Sequence, residues 1–560
     1  MQYSKLVLVY LELEKTTKKL EKAEIISNFL KGVNKEEIKD VIHLLQGKIF
    51  PDYDQRKIGM SSRLILKVIA MSTGISMENV EKTWKSIGDL GIVAQELLKK
   101  RKQTTLLKEE LTIRKVVQNI EKLSLFEGEG TVDKKVKLIS ELLNSAEPEE
   151  ARFIVGTVLE ELRVGVAAGI IRDALAKVFE VDVNLIERAY NLTTDYGDLA
   201  SLLKTRGIKA LHEVSLKIGT PTKSMLAVLV LSVEEAFEAL GKPAQFENKI
   251  DGFRMQVHKD NDIKIYTRNL EDVTKQFPDV VDYVKENVNA KTFILDCEAV
   301  AYDRKNNKHL SFQNISQRIK RKYDIKELSE KFPVEVNVFD ILFYNGNSLM
   351  DMPLNARRNI IEKIVKQKKG KIVLTKKLVT DDVKKAKAFY NESLKNGDEG
   401  VMIKNINVNY IPGRYVNGWT KLKNILDPLD LVVIKAEYGN GKRAKWLTSY
   451  TLACKSGNEF LEVGKVSTGV KEKTEGLTYE EMTKMLKPLI TYEKGKEIIV
   501  KPKIIIEVGY EEIQKSPSYT SGYALRFPRV LKFRQDKPLS EISDINLVKK
   551  IYSSQRGKKL

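Results

Sequence analysis

At 560 residues the chain is too long for one module, and three or four domains of roughly 150 residues each are expected. Its 42% hydrophobic and 31% charged content excludes a disordered chain and suits a protein with several buried cores. Lys and Arg number 96 against 76 Asp and Glu, a net charge of +20, which points to a polyanionic partner, nucleic acid ahead of an acidic membrane surface, with adaptation to heat as the other source of such a composition.

Residues 1 to about 217 read as successive helices, with apolar positions at three and four spacing in Leu64-Ile65-Val68-Ile69 and Ile154-Val155-Val158-Leu159-Leu162. Ala146-Glu-Pro-Glu-Glu150 supplies a helix start, and Arg163-Val-Gly165 reads as that helix's end. From Gly219-Thr-Pro221 the pattern turns to short strands, among them Met255-Gln-Val257, Ile263-Lys-Ile265, Phe293-Ile-Leu295 and Val334-Glu-Val-Asn-Val338, with a helix between Asp381 and Leu394. A second break at Asn424-Ile-Leu-Asp-Pro428 precedes strands at Leu431–Ile434, Thr448–Cys454, Leu461–Val466 and Ile504–Val508, a pattern that suits a small β-barrel. The expected division is 1–217 all-helical, 218–424 α+β and 425–560 β-barrel, a multidomain α+β chain.

Two cysteines, Cys297 and Cys454, cannot build a disulfide framework or a four-cysteine zinc site, so a reducing compartment is expected. No run approaches the ~18 consecutive apolar residues of a membrane span, and the opening apolar stretch passes straight into Glu12, Glu14 and Lys15. A cytoplasmic protein without a membrane partner is the expectation.

Several chemistries are missing. No Gly-Lys pair precedes Ser or Thr, His212-Glu213 lacks the second histidine of a zinc protease, and no Gly-x-Ser-x-Gly elbow occurs. With histidines at 43, 212, 258 and 309 alone, phosphate chemistry would fall to Lys, Arg and a carboxylate-held metal. Phe246-Glu-Asn-Lys249-Ile-Asp251-Gly252-Phe-Arg254-Met-Gln-Val257 reads as strand, Asp-Gly turn and strand. Glu247 and Lys249 leave the same strand face, and a desolvated lysine flanked by a cation such as Arg254 can act as a nucleophile. The alternative is an ordinary hairpin with a surface lysine.

Lys249-x-Asp-Gly-x-Arg254, then Tyr266-Thr-Arg268-Asn269, Leu295-Asp-Cys-Glu298, Val338-Phe339-Asp340, Asp398-Glu399-Gly400-Val-Met-Ile-Lys404 and Trp419-Thr-Lys421-Leu-Lys423 resemble the ordered motif set of the covalent nucleotidyltransferases. That superfamily holds ATP-dependent DNA ligases, RNA ligases and capping enzymes. The flanks select the member. Glu512-Ile-Gln-Lys-Ser-Pro517 through Arg526-Phe-Pro-Arg529 and Arg534-Gln-Asp536-Lys537 resemble the oligonucleotide-binding (OB-fold) barrel of archaeal and eukaryotic replicative DNA ligases, and Leu162-Arg163-Val-Gly165 and Met225-Leu-Ala227 resemble the same family. Cys297 and Ser224 depart from the family pattern at positions without a chemical role.

The resemblance implies a helical DNA-binding domain, an adenylation domain and an OB-fold domain that together seal 5′-phosphate/3′-hydroxyl nicks in double-stranded DNA during replication, repair and recombination. Lys249 would form a lysyl-adenylate from ATP, and AMP would then pass to the nick. Glu247 would contact adenine, Phe339 stack on it, and Arg254 and Arg268 meet sugar and phosphate. Glu298 and Glu399 would hold Mg2+, with Mn2+ as the alternative, Glu298 also reaching the ribose. Lys421 and Lys423 would bind the α-phosphate, Arg414 the nucleotide, and Arg534 and Lys537 the departing pyrophosphate from the closing barrel. Arg163 and Gly165 are candidates for duplex phosphate. Gln103-Thr-Thr-Leu106-Leu107 sits where some relatives carry a sliding-clamp peptide, without the usual aromatic pair. A monomer is expected. The rival readings are an RNA ligase or capping enzyme, and a DNA-binding or clamp-associated protein that has lost activity.

Overall fold

The computed structural model describes residues 1–101, 110–126, 128, 130–310, 315, 318–319, 323–415, 417–423, 426–439, 443, 445–472, 477–494 and 497–555, with the backbone alone at 414 and 494. Helices follow one another from Tyr3–Glu14 to Ala210–Glu213. Local signals explain their ends. Ser61, Asp89 and Thr112 each accept a hydrogen bond from an orphan N–H of the first turn, and Gly74 closes Ser62–Thr73 in the left-handed conformation. Pro148–Val158 opens with the capping box formed by Glu147 and Glu150. It ends earlier than the sequence pattern suggests: Glu160 has φ +56° and the Glu161 N–H donates to the Gly156 carbonyl at 2.7 Å, so Arg163 and Gly165 lie in the turn beyond. The helices enclose one apolar core that includes Leu6, Tyr10, Ile42, Ile69, Ile120 and Phe153. No helix among the described residues is long and apolar enough to cross a membrane.

The central region is built from β1 (Met225–Leu226), β2 (Val228–Val230), β3 (Ala244–Lys249), β4 (Phe253–Lys259), β5 (Ile263–Thr267), β6 (Phe293–Asp303), β7 (Lys308–His309), β8 (Val334–Tyr344), β9 (Asn347–Ser348), β10 (Ile372–Leu374), β11 (Lys377–Thr380), β12 (Gly400–Asn405), β13 (Gly413–Arg414) and β14 (Trp419–Lys423). Among the described residues they make two main sheets. One runs β10-β8-β6-β4-β5 with β7 and β9 at its margins, and the other runs β11-β3-β12-β14-β2. Lys249-x-Asp-Gly is therefore not a hairpin turn. β3 and β4 belong to different sheets, and the chain crosses from one to the other between Lys249 and Phe253. Gly252 permits the crossing, because a Cβ there would lie 2.6 Å from the Ala299 carbonyl oxygen and 2.8 Å from Glu298 Cγ on β6.

Between the sheets lies an apolar cluster containing Met225, Ile294, Phe339, Leu342, Tyr410 and Trp419. A fully buried ion pair holds β8 to the helix Leu354–Ile364: Arg357 Nε and Nη2 donate to the two Asp340 carboxylate oxygens at 2.7 and 2.9 Å. This pair fixes the strand that carries Phe339.

The C-terminal region is strand-rich, with β15 (Leu429–Tyr438), β16 (Leu447–Ser456), β17 (Glu459–Val466), β18 (Ile490–Lys494), β19 (Glu497–Val500), β20 (Ile505–Gly509), β21 (Glu512–Lys515), β22 (Tyr523–Arg526) and β23 (Arg529–Phe533). β15 is the common strand. Along one edge its Leu429–Val432 half pairs with β20 and its Lys435–Glu437 half with β19, while β16 pairs along the other edge. The β21–β22 hairpin leans on β17, where the Glu462 N–H donates to Thr520 Oγ1 at 2.7 Å. The curled sheet closes over a core that includes Leu431, Val433, Leu452, Val463, Ile506 and Val508.

Removing one member of a buried ion pair leaves the other charge without compensation. Arg357→Leu is expected to lower the unfolding free energy by about 3–5 kcal/mol in denaturant titrations, and Arg357→Leu with Asp340→Leu to recover most of that loss.

Candidate active site

The strand register builds one wall of a cavity of ≈ 870 Å3. On β3 and β12, Lys249 stands opposite Gly400 and Glu247 opposite Met402. On β12 and β14, Gly400 stands opposite Lys423 and Met402 opposite Lys421. Residues two apart share a strand face, so Glu247, Lys249, Lys421 and Lys423 all face the cavity. Gly400 is the narrow point of this row. With φ +143° and a would-be Cβ 2.1 Å from the Leu422 carbonyl oxygen, it leaves no room for any other residue between the two lysines.

Glu399 immediately precedes Gly400. Its N–H donates to the Lys249 carbonyl at 2.8 Å, and its Oε2 lies 2.5 Å from Lys249 Nζ and 3.3 Å from Lys423 Nζ. Burial raises the pKa of its carboxyl, but the two lysines outweigh that and hold it down to about 2. Glu298 enters from the other sheet, opposite Arg254 on β4. Its carboxyl is pushed up to about 8 by burial, which Lys249 and Arg254 offset only in part. Lys421 is lowered by its own burial and then by Lys423 and Lys249. The wall is thus a cluster of cations with two carboxylates set across Lys249.

At its inner end the cavity is aromatic. Phe339, 8% exposed, meets Trp419 edge-on with centroids 6.1 Å apart. Lys404 Nζ lies 4.6 Å from the Phe339 centroid and 4.4 Å from that of Trp419, and 2.7 Å from Glu247 Oε2. Gln245 Nε2 donates to the other Glu247 oxygen at 2.5 Å. Arg254 is held more firmly than the sequence suggests. Nε and Nη2 reach the two Asp296 oxygens at 3.0 and 2.5 Å, Nη1 reaches the Met225 carbonyl at 2.9 Å, and Nη2 the Tyr410 hydroxyl at 3.2 Å.

The structure therefore brings together Glu247, Lys249, Arg254, Arg268, Glu298, Phe339, Glu399, Lys421 and Lys423 around one cavity. Arg414 is described by its backbone alone, which pairs with Leu226 of β1. Arg534 and Lys537 do not line the cavity. Arg534 pairs with Asp430 at 3.0 Å, Glu507 at 3.3 Å and Asp536 at 2.8 Å, and Lys537 pairs with Asp430 as well. The barrel instead turns its β21–β22 side to the site: Glu511 lies 2.9 Å from Lys423, and Arg526 lies 3.8 Å from Asp251. Arg163 is paired with Asp89 at 3.1 Å and Glu161 at 2.5 Å, and Gly165, at φ +71°, sits against Lys22 Nζ. Gln103–Leu107 lies outside the described residues.

Sequence reasoning gave no role to Lys404, Asp296, Tyr410, Glu511 or Arg526. Lys404 and Asp296 stand inside quoted motifs, and a charged residue amid the strand runs Val401–Ile403 and Ile294–Leu295 was their available signal. Tyr410 and Glu511 carried none.

Residues 224–423 match the family model "ATP dependent DNA ligase domain", residues 2–176 "DNA ligase N terminus" and residues 443–537 "ATP dependent DNA ligase C terminal region". The chain is 46% identical to a DNA ligase of Nanoarchaeum equitans over 563 aligned residues, covering 100% of this chain and 99% of that one. It is 42% identical to a DNA ligase of Thermococcus onnurineus, covering 99% and 98%. The solved structure named Pmar-Lig_PreS3 shares the fold at a TM-score of 0.57 with 16% identity, covering 94% of this chain and 99% of that one. The chain belongs to the ATP-dependent DNA ligase family.

Proposed function

We propose that Lys249 carries the nick-sealing activity of this DNA ligase as its nucleophile. The observation behind this reading is the row Lys249–Gly400–Lys423, with Glu399 bridging both lysines beside a cavity floored by Phe339 and Trp419. Lys249 Nζ, as the neutral amine after giving up a proton to solvent, attacks the α-phosphorus of ATP, an N–P bond forms, the bond to the bridging oxygen breaks, and pyrophosphate leaves. AMP then moves to the 5′-phosphate of a nick, and the 3′-hydroxyl displaces it. Such transfers depend on positioning and on neutralising phosphate charge, which Lys421, Lys423 and Arg268 supply along the cavity wall.

In the base site Glu247 is the acceptor for adenine and Phe339 the ring it stacks on, beside Trp419. Lys404 and Gln245 hold the Glu247 carboxylate in place from behind, so its remaining acceptor capacity suits the amino group of adenine. Arg254 spends four of its five N–H donors on the protein, which makes it first a framework for the sugar side of the site.

Glu298 and Glu399 fit a divalent cation. Burial disfavours ionised Glu298, so a cation is the compensation its carboxylate lacks, and Mg2+ needs few protein oxygens because it keeps several waters and bridges to phosphates. When bound, Mg2+ or Mn2+ would neutralise phosphate charge in the transfer. Glu511 and Arg526 occupy the mouth of the site, while Arg534 and Lys537 are paired elsewhere on the barrel. Rotation of the barrel exchanges the first pair for the second, so that Arg534 and Lys537 meet the pyrophosphate.

Incubation with ATP labelled at the α-phosphate and Mg2+ is expected to leave a covalent label that Lys249→Ala abolishes and that nicked duplex discharges. A label surviving Lys249→Ala contradicts the assignment. Gly400→Ala, which forces β14 away from β12, is expected to slow label formation by about 10²-fold, measured in a single turnover. If the basic surface neutralises duplex phosphates, affinity for nicked DNA should fall with salt at a log–log slope of about −0.9 per phosphate, read from binding titrations at several ionic strengths.

A further inference from the structure

The hydroxyl of Tyr410 sits at a junction of three elements and uses its whole hydrogen-bonding capacity there. It accepts from the Met225 N–H at 2.9 Å and from Arg254 Nη2 at 3.2 Å, and it donates to Asp296 Oδ2 at 2.8 Å. A hydroxyl has one donor and two acceptor sites, so none is left over. Its three partners come from β1, β4 and β6. The ring is 2% exposed and lies edge-on to Trp419, centroids 5.7 Å apart and planes at 86°.

The same partners also close on one another. Arg254 grips both Asp296 oxygens and returns to the Met225 carbonyl, so the Tyr410 hydroxyl completes a ring running from Met225 through Arg254 to Asp296. The ring borders the cavity on two sides. Leu226 of β1 and the following Ala227 and Val228 line it, and Arg254 lines it beside Glu298. Packing does not require the hydroxyl itself, since phenylalanine would preserve the contact with Trp419. What the hydroxyl adds is direction: together with Asp296 and the Met225 carbonyl it fixes the plane of a guanidinium lying 5.3 Å from the Phe339 centroid and 5.7 Å from that of Trp419.

The geometry points to Tyr410 as a positioning residue that orients Arg254 and the β1 edge for binding of the nucleotide, acting on ATP affinity rather than on the transfer step. This rests on the reading of the cavity as the ATP site. Loss of one hydrogen bond in a charged network corresponds to about tenfold in an equilibrium.

The test is single-turnover formation of the labelled lysyl-adenylate against ATP concentration in the full chain. Tyr410→Phe is expected to raise the half-saturating ATP concentration about tenfold and to leave the plateau rate within about threefold. In an Arg254→Lys background the same change is expected to add little, because it acts through the same group. An unchanged half-saturation, a fall in the plateau alone, fully additive effects in the double variant, or recovery of Tyr410→Phe unfolded would each overturn the proposal. Failure of the underlying reading looks different: the unaltered protein then forms no adenylate on Lys249 at any ATP concentration.

Discussion

The site depends on the crossing between β3 and β4. Within four residues the chain leaves one sheet and joins another, and Lys249 is the last residue of the strand it leaves. That crossing sets a lysine at the seam of two sheets, where the second sheet can bring Glu298 and Arg254 to face it and the first sheet can bring Glu399 and Lys423 across Gly400. Two glycines make it possible by close approach, Gly252 against β6 and Gly400 against β14. A side chain at either would push apart the strands that meet there.

Around that seam the protein manages charge by pairing it. Asp340 with Arg357, Asp296 with Arg254, and Glu247 with Lys404 are buried ion pairs on strands that carry or border site residues. Each costs desolvation, and each depends on good geometry and extra hydrogen bonds to hold. Their common product is orientation. Phe339 precedes Asp340 on β8, and Lys404 ties Glu247 of β3 to β12. The carboxylates facing the cavity are treated differently: Glu399 is compensated by two lysines, whereas Glu298 is buried without an equal partner. That asymmetry is what a divalent cation held by Glu298 and Glu399 would answer.

Much of this was legible because it is local. Apolar spacing of three and four marks the helices, and alternation marks β5, where Ile263 and Ile265 are buried and Lys264 between them is exposed. β8 shows the limit of alternation: Glu335 and Asn337 are as buried as the valines between them, because both faces of the strand are covered. Asp251-Gly252 has the chemistry of a hairpin turn, yet its flanking strands do not pair, because strand partners are chosen by contacts distant in sequence. The helix before Arg163 stops earlier, at Val158, through a left-handed Glu160 that no propensity favours. In the site, the motif residues that line the cavity could be named, whereas Asp296, Lys404 and Arg526 stand inside motifs but owe their ion pairs to partners distant in sequence. Tyr410 and Glu511 stand in no motif, because their places follow from the packing of one region against another.

The account turns on which nitrogen becomes covalently attached to AMP. Mass-spectrometric mapping of the protein after exposure to ATP and Mg2+, with and without later addition of pyrophosphate, measures this directly. The expected result is AMP on the peptide carrying Lys249, removed when pyrophosphate drives the step backwards. AMP on another residue, or on none, would contradict the assignment of the seam between the two sheets as the reacting centre.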